Sequence, residues 1–140
     1  ALRAIESQQL ENVRVLEADA VAFIQQHIAP QSLAGIRVYF PDPWHKKRHN
    51  KRRLIQDQFV ELVVSRLQAG GILHLATDWQ HYAEQMMNVC EQNPQLQNMQ
   101  GARCYAERPN WRPITRFEQR GRSLGHGVWD LMFERRAGTD

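Results

Sequence analysis

Long apolar runs are missing from this chain; the longest fall far short of the ~20 residues needed to cross a bilayer, so no membrane partner is expected. Cysteine is scarce. Cys90 and Cys104 have neither metal-ligand spacing nor the framework of a disulfide-stapled secreted domain, and both read as reduced thiols in a cytoplasmic protein. An initiator methionine and a signal peptide are also missing. The chain opens at Ala1 on what reads as the middle of a helix, and so reads as a piece of something longer. Internal repeats, low-complexity tracts and interior linkers are absent, which leaves a single domain over residues 1–140. An apolar content of 42% with 24% charged residues excludes a disordered chain.

Acid is missing where base is abundant. Between Asp42 and Asp57 no carboxylate occurs, yet Lys46, Lys47, Arg48, Lys51, Arg52 and Arg53 fall within eight positions. A second basic tract runs from 103 to 122, where six arginines meet only Glu107 and Glu118. The first 35 residues lean the other way, with Glu6, Glu11, Glu17 and Asp19 against Arg3 and Arg14. A net charge of +3 is modest, but this distribution points to a polyanionic partner, read here as RNA.

The most informative stretch is Pro41-Asp42-Pro43-Trp44, which joins the apolar run 36–40 to that cationic arm. Pro41 fixes its own φ, and Pro43 biases Asp42 towards an extended backbone, so the carboxylate is held stiffly. Trp44 offers a face on which a base can stack.

Elsewhere the pattern alternates between strand and helix. Val13 to Leu16 predicts a strand, and Asp19 then caps a helix carrying Val21, Ile24 and Ile28 up to Pro30. After the strand 36–40 and the basic arm, Ile55, Phe59, Leu62, Val63 and Leu67 predict a helix over 54–68, ended by Gly70-Gly71. Residues 72–76 predict a strand, and Trp79 to Cys90 a helix closed by Asn93-Pro94. Residues 102–106 and 128–133 complete the set as an antiparallel pair. The alternation predicts an α/β domain with a mostly parallel sheet, whose ligands lie beyond the carboxyl ends of the strands. Asp19, Asp42 and Asp78 each follow a predicted strand and share that edge.

Four blocks occur in order: the run at 41–53, Ala-Thr-Asp-Trp at 76–79, Thr-Arg-Phe-Glu at 115–118, and Gly-His-Gly-Val-Trp-Asp-Leu-Met-Phe-Glu at 125–134. With them the chain resembles bacterial tRNA (guanine-N7)-methyltransferases from about residue 13 onward. The resemblance implies a Rossmann-like class I methyltransferase sheet with an antiparallel last strand. It also implies methyl transfer from S-adenosyl-L-methionine to a guanine in the variable loop of tRNA. By matching positions, Asp42 would be the catalytic acid and lie beside the cofactor, and Asp19 would meet its adenosine side. Lys46, Asp78, Thr115, Arg116, Phe117 and Glu118 would contact the substrate. Arg48, His49, Asn50, Lys51, Arg52 and Arg53 would hold the RNA backbone. The resemblance also implies that the family's glycine-rich cofactor loop, its first strand and the acid that holds the ribose precede Ala1; Gly121, Gly125 and Gly127 lie just ahead of the last strand, on the wrong side of the fold for that loop. The intact enzyme is expected to be a monomer, with dimers of the truncated sheet an alternative.

Plainer readings stand beside these. Asp42 can serve turn geometry alone, Asp19 and Asp78 can be helix caps, and a charge run is often just a solvated face. His45 and His49 sit at i, i+4, but no third ligand is near and the flanking cations repel a metal ion, so no metal site is expected. A methyltransferase acting on an exocyclic amine, or an RNA-binding module without catalysis, are the competing functions.

Overall fold

A computed structural model describes residues 12–112, 114 and 127–138. Within them α1 spans Ala20–His27, β1 Leu33–Tyr39, a 3-10 helix Lys47–Arg52, α2 Asp57–Arg66, β2 Leu67–Thr77, α3 Gln80–Gln92, β3 Leu96–Asn98 and β4 Trp129–Arg135. The hydrogen-bonded order is β1-β2-β4-β3, with β1 parallel to β2 and β4 antiparallel to both its neighbours.

The two faces of the sheet differ in chemistry. Period-two alternation turns Leu73 and Leu75 of β2, with Leu131 and Phe133 of β4, towards the helices. There they meet Phe59, Val60, Val63 and Val64 of α2, and Tyr82, Met86, Met87 and Cys90 of α3. The 82, 83, 86, 87, 90 spacing of α3 is that of one helical face, so the whole stripe is buried. Each such aliphatic side chain contributes about 1.5–3 kcal/mol relative to exposure. The opposite face carries Tyr39, His74 and Asp130.

Several expectations need correcting. The sheet is not mostly parallel by pairing: one of its three pairings is parallel, because the reversed strand β4 lies between β2 and β3. Val13 to Leu16 is not a strand. It runs irregularly with Val15 and Leu16 exposed, since β-branching is expressed only where a neighbouring strand supplies packing.

The helix expected over 54–68 spans 57–66, and Leu67 opens β2. Gly70 and Gly71 do not end a helix but form a bulge in β2. From Leu33↔Leu67 to Gly35↔Ile72, β1 advances two residues while β2 advances five. Gly70 takes φ +81 there, and a Cβ on Gly71 would lie 2.9 Å from the Gln68 carbonyl oxygen. Of the strand expected at 102–106 only the bridge Ala106↔Asp130 exists, and β3 takes its place beside β4.

Candidate functional site

Because β1 and β2 are parallel and Tyr39 pairs with Ala76, their carboxyl ends deliver Asp42 and Asp78 to one edge of the sheet. Asp19 does not share that address by the argument expected of it, as it follows an irregular segment rather than a strand. It caps α1, accepting from the Ala22 amide at 3.1 Å. Asp78 is not a cap: Trp79 occupies the N-cap position of α3, with its amide donating to Thr77 Oγ1 at 3.2 Å.

The turn holding Asp42 is tightly shaped. Phe40 (φ 53) and Trp44 (φ 43) adopt left-handed backbone on either side of it, a conformation that costs bulky residues on the order of 1–3 kcal/mol each. Asp42 Oδ1 accepts from the Trp44 amide at 3.0 Å, so turn chemistry is one of its tasks. The residue is nevertheless exposed.

Beyond the turn the cations form a short 3-10 helix. Lys46, Lys47, Arg48, Lys51 and Arg52 are exposed, and none is paired with a carboxylate among the described residues. Trp44, expected to face a base, faces its own arm: the His49 ring centroid is 5.9 Å away and the Arg52 guanidinium lies 5.1 Å from its ring centre. His45 packs on Trp79 at 4.3 Å, which links the arm to the start of α3. His49 and Asn50 are half-buried.

Arg53 departs from its expected role. It is only 2% exposed, with its Nε and Nη1 bonded inside the protein, unlike the exposed cations of the arm. Thr115, Arg116, Phe117 and Glu118 lie outside the described residues.

Sequence reasoning missed a buried polar chain behind the site. Tyr39 Oη lies 2.8 Å from His74 Nδ1, and His74 Nε2 lies 2.7 Å from Asp130 Oδ2. A carboxylate only accepts, so Nε2 carries the proton. Arg112 grips Asp130 bidentately, Nε to Oδ2 at 2.8 Å and Nη2 to Oδ1 at 2.7 Å. Burial pushes the Asp130 carboxyl up, but the bonds from His74 and Arg112 outweigh it and hold the group below its ordinary value. Burial raises the Tyr39 phenol, against the pull of Arg37.

Arg108 donates to the Arg112 carbonyl at 2.5 Å, and the Ala106 amide to the Asp130 carbonyl at 2.8 Å, so segment 106–112 is fastened across β4 and β1. A signal was available: His74 and Asp130 interrupt otherwise apolar strands, where a polar side chain needs a partner.

A groove of about 460 Å³ lies beside Asp19, with Leu16, Ala18, Ala22 and Phe23 in its wall. Its lining sets those apolar side chains beside the Asp19 carboxylate, Gln26 and His27, a mixture that suits a purine carrying an exocyclic amine. Among the described residues there is no cluster of three or more metal-ligating side chains, and no helix is long and apolar enough to cross a membrane.

Comparison with known proteins gives a direct result. Residues 1–131 match a family model described as "Putative methyltransferase". The chain is similar to the tRNA (guanine-N(7)-)-methyltransferase of Thiobacillus denitrificans, 58% identical over 135 residues, covering 96% of this chain and 59% of that protein. It is similar to proteins of the same description from Paraburkholderia xenovorans (56% identical; 96% and 51% covered) and Burkholderia ambifaria (55%; 98% and 53%). The chain thus spans about half the length of the curated relatives it matches. On the breadth of the family match, this chain belongs to that methyltransferase family.

Proposed function

We propose that the full protein methylates N7 of a guanine in tRNA, and that residues 1–140 form the part of its single domain that carries the acidic turn and the RNA-holding arm. The observation that carries this reading is the pairing of an exposed carboxylate, Asp42, with five adjoining cations that no described carboxylate neutralises, at the edge where Asp78 also emerges. On this reading the four-stranded sheet is a portion of a class I methyltransferase sheet, and the protein works in the cytoplasm.

Guanine N7 has an in-plane lone pair, so no base has to remove a proton first. The cofactor, S-adenosyl-L-methionine, supplies an activated methyl on a sulfonium. What remains for the protein is alignment and charge. Holding reactants in line is worth up to roughly 7–11 kcal/mol.

Methylation leaves the purine cationic, and the Asp42 carboxylate stabilises that developing charge. The turn bond to Trp44 fixes its direction beforehand. Asp19 and its groove would hold the adenosine side of the cofactor, and Asp42 would stand at its reactive side. Lys46, Lys47, Arg48, Lys51 and Arg52 hold phosphates, which positions the loop without reading its sequence. Asp78, with Thr115, Arg116, Phe117 and Glu118, completes the substrate contacts.

In the full protein, Asp42→Ala is expected to lower methyl transfer by at least ~100-fold while tRNA affinity changes only a few-fold. An affinity loss as deep as the activity loss overturns this division of labour. Strand scission specific for N7-methylguanine identifies the methylated atom; a product resistant to it favours transfer to an exocyclic amine instead.

A further inference from the structure

Arg52 and Arg53 are neighbours of identical chemistry in opposite environments. Arg52 is exposed over the Trp44 ring. Arg53 is buried, and burial draws its guanidinium below the ordinary value. Its Nε donates to the Pro43 carbonyl at 2.6 Å, one residue from Asp42. Its Nη1 donates to Gln85 Oε1 at 2.7 Å and lies 2.9 Å from His81 Nδ1, while the guanidinium sits 4.9 Å from the centre of the Tyr82 ring.

All three of those partners are on α3, the helix that starts two residues after Asp78. The same helix also holds the chain just past Arg53: Gln85 Nε2 donates to the Ile55 carbonyl at 2.9 Å, and Tyr82 Oη accepts from the Ile55 amide at 3.0 Å. One guanidinium therefore spans the two strand ends.

Resting on the function proposed above, we infer that Arg53 is a positioning residue which fixes the Asp42 turn relative to Asp78, rather than a contact to the RNA backbone. It acts through the Pro43 carbonyl and α3, and neutralises no phosphate.

The two roles separate experimentally in the full protein. A phosphate contact contributes about 0.7–0.9 to the slope of log affinity for tRNA against log salt concentration. Arg53→Met is expected to leave that slope unchanged and to lower kcat by about 100-fold at saturating tRNA, as a misplacement near 1 Å does. Arg52→Ala is expected to flatten the slope by about 0.7–0.9. Arg53→Lys guards against misfolding of the Met variant: it keeps one donor towards Pro43 and should fold, with kcat lower by about tenfold and KM for tRNA little changed.

A slope loss in Arg53→Met equal to that of Arg52→Ala, or wild-type kcat in Arg53→Lys, overturns the inference and leaves the methyltransferase reading standing. A wild-type protein that does not methylate tRNA overturns both.

Discussion

Two polar regions flank the end of β1, and they handle charge in opposite ways. On one side the arm 46–52 gathers cations that no described carboxylate neutralises, all open to solvent. On the other, half-buried Tyr39 joins buried His74, Asp130 and Arg112 in a chain in which the acid is bonded from two sides. The first, on the proposed function, is left open for the RNA. The second is satisfied already, and its product is shape: it fastens segment 106–112 onto the sheet. Density of charge in a sequence therefore says little about function until burial and pairing are known.

The contrast breaks most sharply at Asp130. Asp130→Ala leaves Arg112 and His74 buried without their acid, and is expected to destabilise the domain by about 3–5 kcal/mol. Urea unfolding measures this; Arg48→Ala on the exposed arm is expected to leave the midpoint unmoved. Equal effects from the two changes would erase the distinction.

Acid titration gives a second, smaller effect. The folded carboxyl of Asp130 lies below its unfolded value, so the stability it contributes is present above the unfolded pKa of ~3.9 and is lost as pH falls through the folded value. Thermal unfolding should show wild type losing stability below about pH 4, with Asp130→Asn losing less over that window. A parallel decline in both proteins would assign the acid sensitivity to other carboxylates.

The mildest change is Tyr39→Phe, which removes one hydrogen bond to His74. It is expected to cost about 1 kcal/mol, read from the same urea curves. Because Tyr39 stands at the end of β1, a fall in methyl transfer beyond that small stability loss would mean that the buried chain reaches the reacting groups after all.

Much of the layout was legible wherever one face of an element decides its fate. The stripe of α3 was readable because helical spacing and burial coincide at Tyr82, Met86 and Cys90. Strands β1, β2 and β4 were readable from runs of strong β-formers, and parallel β1 and β2 then put Asp42 and Asp78 on one edge as expected. What failed depended on distant neighbours. Gly70-Gly71 has the composition of a helix stop, yet the register of β1 against β2 makes it a bulge.

Val13 to Leu16 has strand composition without a described strand beside it. Nothing local separates Arg52 from Arg53, because what buries the second is α3, some 30 residues further along. Likewise Asp130 lies 56 residues from His74 and 18 from Arg112, distances over which a periodicity reading is silent.

The left-handed corners at Phe40 and Trp44 have one further consequence. A loop shaped only for ease of folding would place glycine at both, and would then have to freeze its backbone each time a ligand arrived. Here the ordering is done once, when the domain folds, and the packed strands and α3 bear the tension permanently. If the proposed function holds, contacts made by an incoming nucleotide can therefore go into holding it rather than into stilling the loop that receives it.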